Sequence, residues 1–415
     1  MPGISTLTRA HAEALDAEDD LAFLREAFVL PPGVVYLDGN SLGALPRRAV
    51  ERLRDVVERE WGRDLIRSWN ANGWIELPGR VAGLIAPLIG ASADEVAVAD
   101  STSVNVFKLL AGALRLRPGR RVILSEEANF PTDLYVAQGL ASLLGNVELR
   151  LVPRDGLRAA LGDDVAVLLL THVDFRTGEI HDMASLTRAA HDAGALALWD
   201  LAHSAGAVPV DLDGSEADLA VGCGYKYLNG GPGAPAFAFV ARRWHSAFES
   251  PLSGWMGHVD PFAFGPRYQP APGVARLLCG TPPILSLAAL ECGVETVARA
   301  GIARLRRKSV ALTDLFVRLV EQECGGFGFT LASPREAERR GSQVSLRHPE
   351  GYAIVQALIA RGVVGDFRTP DVLRFGFAPA YLQFTDAWEA VAALRAVMGN
   401  REWLRPEFRH QATVT

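Results

Sequence analysis

The stretch that decides the fold runs from Asp164 to Asp200, DVAVLLLTHVDFRTGEIHDMASLTRAAHDAGALALWD. It opens on an apolar run, DVAVLLLTHV (164–173), passes through the amphipathic segment MASLTRAAHDAG (183–194), and closes on a second apolar run, ALALWD (195–200). Continuous Val, Leu and Ala without alternation marks strands buried on both faces, and the helical segment between two such strands is a crossover that keeps them parallel. The same rhythm extends over about 95 to 245, with RVILS (121–125), a helix through LYVAQGLASLLG and VELRLV (147–152). The expectation is an α/β protein with a mostly parallel, doubly wound sheet.

Beyond this core, a long helical stretch from 282 carries Gly301 as a break between two helices, and a smaller α/β unit follows. That unit shows QVSLRH (343–348), a helix from 351, VLRFGF (372–377) and a last helix from about 385. The expected division is an N-terminal segment, 1–50, packing on the small domain, a large domain, 51–290, built on the parallel sheet, and a small C-terminal domain, 291–415. Neither repeats nor low-complexity linkers interrupt it.

With 415 residues, 49% of them hydrophobic, the chain can bury a large core. A formal charge of -6 and the lack of a basic cluster argue against nucleic acid as a partner. No apolar run reaches membrane length, and the first twenty residues are too polar for a signal peptide or anchor. Cys223, Cys279, Cys292 and Cys324 form no CxxC pair, which argues against zinc and a disulfide framework and for a reducing cytoplasm. His172, His181 and the other histidines lack ligand spacing, so no metal is expected.

Ligands of an open parallel sheet bind beyond the carboxyl ends of its strands, and the residues following four apolar runs are informative. EVAVAD (95–100) is followed by Ser101, Thr102 and Ser103, whose hydroxyls and free amides at a helix start can hold a phosphate. Phe130 and Asp133 follow RVILSEEAN, offering a flat ring and a carboxylate. ALALWD ends in Asp200, a carboxylate that is costly to bury without a partner, with His203 close behind. Lys226 then sits in GCGYKYLNGGPGAPAF (222–237), among glycines that let a ligand approach the backbone. Each piece alone has a plainer reading: a surface lysine, an N-cap, a core phenylalanine. Together they describe a pyridoxal 5'-phosphate site, in which the lysine forms a Schiff base and Asp200 keeps the pyridine nitrogen protonated. A P-loop is excluded, because GxxxxGK[ST] is absent.

At these residues the chain resembles the kynureninases, pyridoxal phosphate enzymes of the aspartate aminotransferase fold (fold type I). The matching stretches are GNSLG (39–43), FPTD (130–133), DLAHSAG (200–206), YKYLN (225–229), GWMGH (254–258) and GTPPIL (280–285), in the family's order over most of the chain. The resemblance implies hydrolysis of L-kynurenine to anthranilate and L-alanine, a step of kynurenine catabolism. It implies that Lys226 binds the cofactor covalently, that Asp200 meets the pyridinium with Asp133 close by, and that Phe130 stacks on the ring. Thr102, Ser103, Thr171, His203 and Tyr225 would complete the cofactor shell, with Tyr225 as proton donor. Trp255 and Thr281 match positions that a neighbouring subunit contributes, implying a homodimer with shared sites. Arg374 and Ser41 match substrate-binding positions, Arg374 gripping the carboxylate. No substrate contact is assigned in WGRDLIRSWN (61–70). Animal relatives carry asparagine where this chain has Thr281 and favour 3-hydroxykynurenine, so a preference for the unsubstituted ring is implied here. The rivals are another enzyme of the same fold, such as a cysteine desulfurase or an aminotransferase, and a pyridoxal-binding regulator or inactive scaffold.

Overall fold

The computed structural model describes residues 6–410, so the outermost parts of the expected segments 1–50 and 291–415 lie outside the described residues. Seven strands form the central sheet: β1 (Val96–Val98), β2 (Val122–Glu126), β3 (Glu148–Val152), β4 (Val165–Thr171), β5 (Leu196–Asp200), β6 (Leu219–Gly222) and β7 (Phe237–Val240). Their order is β1-β7-β6-β5-β4-β2-β3. Residues Val165 to Leu170 of β4 are at most 1% exposed, as an unbroken apolar run between two helical layers requires. Each buried Val or Leu there contributes about 1.5–3 kcal/mol. The sheet is mostly parallel, as expected, with one strand reversed: β7 pairs antiparallel with both β6 and β1. Continuous burial encodes depth and not direction, so FAFV reads the same either way.

Six of the seven strands therefore point the same way, and their carboxyl ends share one edge. Helices begin at this edge, Thr102–Leu116 after β1 and Pro131–Leu144 after β2. The helices Ile284–Ala300 and Ile302–Cys324 then lead away, separated at Gly301, whose φ of 78° ends the first. A second sheet, antiparallel, has the order β8-β9-β11-β10, where β8 is Thr330–Leu331, β9 Gln343–Arg347, β10 Asp366–Arg368 and β11 Val372–Gly376.

The N-terminal segment is stitched to this second sheet's surroundings. Val35–Tyr36 pairs in parallel with Val363–Val364, and the Gly376 amide donates to the Leu37 carbonyl at 2.7 Å. This brings Asp38 to Gly43 against the turn after β6. The Gly43 amide donates to the Tyr225 carbonyl at 2.8 Å, and a Cβ at Gly43 would lie 2.2 Å from the Lys226 carbonyl oxygen, so only glycine allows this approach.

Candidate active site

The chain has only three lysines. Lys108 is fully buried, ion-paired with Asp100 and donating to the Leu277 carbonyl at 2.6 Å. Lys308 pairs with Asp19 at 2.7 Å. Lys226, buried in the turn after β6, has neither a hydrogen bond nor an ion pair among the described residues, and its Nζ lies 5.8 Å from the ring centroids of both Phe130 and Tyr225. A buried amine left without a partner, beside two aromatic faces, is held for something the protein does not itself supply.

The neighbouring strand ends complete the arrangement. After β1, Ser101 is the N-cap, its hydroxyl accepting from the Val104 amide at 3.3 Å. Capping thus uses one of three hydroxyls, and Thr102 Oγ1 is buried without a partner. After β2, Phe130 precedes the helix whose first turn holds Asp133; Pro131 fits the first helical position because its missing N–H would have been an orphan donor. At the end of β4, Thr171 Oγ1 is likewise buried and unpartnered. Beyond β5, so is Nδ1 of His203. These three orphaned polar atoms surround the edge where Lys226 sits, and buried polar groups ordinarily find partners. They fit a phosphate and a ring with polar substituents.

Electrostatics at this edge is dominated by two acids. Asp133 and Asp200 are each 2% exposed and close enough for each to shift the other's proton affinity. Burial, followed by the charge of Asp200, pushes Asp133 well above the usual carboxylate range, and burial also raises Asp200 against the pull of Lys226 and of the Ala202 amide, 2.8 Å from Oδ1. Two buried acids so placed resist ionising together, and a cation or donor beside them relieves that cost. Burial, then Lys226, Arg374 and Arg368, keep His203 far below its ordinary pKa, so it is neutral. Burial, with Cys223 and Asp200, raises the Tyr225 phenol, which stays protonated.

Arg374 lies in β11, 2% exposed. Its Nε donates to Asp366 Oδ1 at 2.7 Å, one terminal nitrogen contacts Asp366 Oδ2 and the Ser41 hydroxyl (3.2 Å), and the other donates to the Phe175 carbonyl at 2.5 Å. Ser41, from GNSLG, also donates to Asp366 Oδ2 at 3.0 Å. Phe175 in turn packs edge-on against Phe130 with centroids 5.2 Å apart, linking this cluster to the cofactor side.

Trp255 and Thr281 lie elsewhere. Among the described residues no hydrogen bond or ring contact joins either to Lys226 or Phe130. Trp255 packs on Phe262 and Phe264, while Thr281 is exposed. The helix following Thr281 begins at Ile284 with Pro283 in the N-cap position and no side-chain cap, so Thr281 has no capping task. The two residues are tied to each other's surroundings: the Met256 amide donates to the Cys279 carbonyl at 3.2 Å.

Sequence reasoning missed three participants. Asn129 accepts the Thr171 amide at 2.7 Å and approaches Asp133 at 3.4 Å; its signal was its place directly before FPTD. Asp366 and Asp38 surround Arg374, and the only cue was GDFR (365–368) two turns of chain upstream of the arginine. The scarcity of lysine was legible by counting. His181 Nε2 lies 2.9 Å from Glu126, both buried, and His172 Nδ1 lies 2.9 Å from Ser204, which gives these histidines structural partners. Among the described residues no helix is long and apolar enough to cross a membrane, and no group of three acidic, histidine or cysteine side chains is placed to hold a metal.

Comparison with known proteins adds the following. Residues 305–394 match the family model described as kynureninase C-terminal domain. A kynureninase of Burkholderia mallei (strain SAVP1) is 57% identical over 415 residues, covering 98% of this chain and 100% of the relative. Among solved structures, an apo cysteine desulfurase from Thermococcus onnurineus NA1 superposes with a TM-score of 0.76 at 20% identity, covering 91% of this chain and 98% of its own. A C-DES variant with glycine covalently linked to its PLP cofactor gives 0.78 at 19%, covering 89% and 98%. These structures share the fold, that of the fold type I pyridoxal phosphate enzymes; at such identity they say nothing of the substrate.

Proposed function

The chain belongs to the kynureninase family, and from that membership we propose that it hydrolyses L-kynurenine to anthranilate and L-alanine with pyridoxal 5'-phosphate as cofactor. The observation that carries the reading to this chain's own residues is Lys226, the one lysine of three without an internal partner, at a strand-end edge ringed by orphaned polar atoms.

When bound, the cofactor withdraws the electrons that develop on the substrate's Cα and Cβ, so that the Cβ–Cγ bond can be cleaved. Lys226 would hold the cofactor, and its amine is the group that would move the proton at the substrate's Cα. Asp200 would meet the ring nitrogen and stabilise its positive charge, with Asp133 close by to tune the proton affinity of Asp200. Phe130 would provide the stacking face, and Thr102, Ser103 and Thr171 would supply hydroxyls to cofactor oxygens, with His203 as a neutral donor or acceptor in the same shell. Tyr225, kept protonated, delivers the proton that completes alanine. Arg374 and Ser41 hold the substrate carboxylate.

The same proposal includes a homodimer in which Trp255 and Thr281 complete the partner's site. It is supported by the lack, among the described residues, of a hydrogen bond or ring contact between them and Lys226, and by apolar side chains left in solvent near them: Phe262 (61% exposed) and Phe264 (75%), which pack on Trp255, and Trp61 (57%), which lines a cavity with Pro283 and Ile284. A division into segments 1–50, 51–290 and 291–415 is supported by the two sheets and by the pairing of Val35–Tyr36 with Val363–Val364. Four free cysteines support a cytoplasmic location. Against the desulfurase alternative, Cys223, Cys292 and Cys324 are buried with thiols raised by burial, the reverse of a reactive nucleophile, and the half-buried Cys279 donates to the Leu252 carbonyl at 3.4 Å. The test is to incubate purified holoenzyme with L-kynurenine and follow anthranilate fluorescence together with alanine; formation of both in equal amounts supports the reading, and absence of anthranilate overturns it.

A further inference from the structure

The carboxylate subsite assigned above to Arg374 is already full. Asp366 engages the guanidinium at two points, Arg368 reaches the same Asp366 oxygen at 2.9 Å, and Ser41 sits between Asp366 and Arg374. Asp38 lies against this group. Its backbone bridges to Gly376 at the end of β11, its side chain meets Ser41, and its Oδ1 is shielded from solvent with no hydrogen-bond partner.

We propose that Asp38 makes substrate binding at Arg374 proton-linked: an incoming carboxylate takes Arg374 from Asp366 only when Asp38 carries a proton, drawn from solvent. The inference rests on the reading of Arg374 as the substrate's carboxylate anchor. Its core is a charge count. Two arginines, Arg368 and Arg374, face two acids, Asp38 and Asp366. With Asp38 ionised the cluster is neutral and offers no net charge to offset the desolvation of a further buried anion; with Asp38 protonated one positive charge is left for the ligand.

The neighbours leave Asp38 as the group of this cluster that changes charge near neutrality. Burial, then Asp366, push it up to about 7, against the pull of Ser41, Arg374 and Arg368. For Asp366 burial also disfavours the charge, but Arg374 and Arg368 hold it below the usual range. The phenols facing the cluster, Tyr36, Tyr227 and Tyr381, are raised by burial and remain protonated, and His203 is neutral. The sign follows: a ligand that requires protonated Asp38 binds at full strength below about pH 7 and loses affinity as pH rises through it.

The test uses the holoenzyme and 4-oxo-4-phenylbutanoate, the substrate skeleton without its α-amine and ring amine, and therefore unable to react with the cofactor. Its Kd is measured from pH 6 to 9, with proton uptake counted by calorimetry in buffers of different ionisation enthalpy. The expected result is a flat Kd below pH 7, weakening toward about tenfold per pH unit above it, with net proton uptake. Asp38→Asn abolishes the slope and binds about tenfold or more tightly than wild type at pH 8.5. The neutral amide of the probe shows no slope in either protein. No proton uptake by wild type, an unchanged slope in Asp38→Asn, or an equal slope for the amide would each overturn the proposal; the wild-type proton count decides even if the variant does not fold. Arg374→Gln separates the premise: it weakens the acid at every pH if Arg374 is the anchor, and unchanged binding there refutes the anchor reading itself.

Discussion

Lys226 and Phe130 come from different strand-end turns, yet the lysine Nζ lies 5.8 Å from the centroid of the phenylalanine ring. One follows β6 and the other β2, strands separated in the sheet by β5 and β4. Their meeting at one edge makes a cofactor site out of two local turns, and the ring's contribution can be measured. Phe130→Ala removes a stacking face worth about 0.5–1.5 kcal/mol. The cofactor's Kd, titrated by absorbance into apoenzyme, is expected to rise about three- to tenfold; an unchanged Kd would remove Phe130 from the cofactor shell.

The Asp133–Asp200 pair has two separable consequences. Asp200→Asn is expected to fold normally and lose turnover by about a hundredfold or more, since the ring nitrogen loses its counter-charge. In the apoenzyme the pair has a cost. Both folded carboxyls sit above their unfolded pKa, so stability is lost as pH rises from the unfolded value through the folded one. Asp133→Asn is therefore expected to raise the apoenzyme Tm at pH 8 and to change it less at pH 5. A lower Tm at pH 8 would contradict this account of the pair.

For the shared site, Lys226→Ala and Trp255→Ala chains are each expected to be inactive alone. Mixed under conditions of confirmed subunit exchange, they regain part of the wild-type activity, because a hybrid dimer holds one intact site. Silence of the hybrids would place Trp255 within its own subunit's site or outside any.

Ring selectivity tests Thr281, whose side chain is exposed and free of a capping role. A ring hydroxyl buried without a partner costs about 1–3 kcal/mol, so kcat/KM for kynurenine is expected to exceed that for 3-hydroxykynurenine by roughly tenfold or more. Thr281→Asn, which adds an amide able to donate and accept, narrows the ratio. Equal values in wild type would show that ring selectivity is set elsewhere.

Much of this was legible in the sequence because a parallel sheet writes itself plainly: buried strands are unbroken apolar runs, and the residues after them are the ligand edge. Lys226, Asp200, Phe130 and Thr102 were singled out that way, and each ends or follows a strand of the central sheet. The direction of β7 was not legible, since a strand buried on both faces has the same pattern in either sense. Nor was the neutralisation of Arg374. Asp38 reaches it from far away in the chain, and an Asp after an apolar dipeptide reads as an ordinary turn residue until Gly376 is seen beside it. Long-range charge pairing leaves no local trace, whereas scarcity does: three lysines in the chain was a clue available by counting.

That scarcity makes the central claim unusually easy to test. Borohydride reduction of the yellow holoenzyme fixes the cofactor on whichever lysine bears it, and digestion with mass mapping has only Lys108, Lys226 and Lys308 to choose among. The account predicts a phosphopyridoxyl group on the peptide containing Lys226 and on neither of the others, which are held by Asp100 and Asp19. Label on Lys108 or Lys308, or full kynurenine turnover by Lys226→Ala, would contradict it.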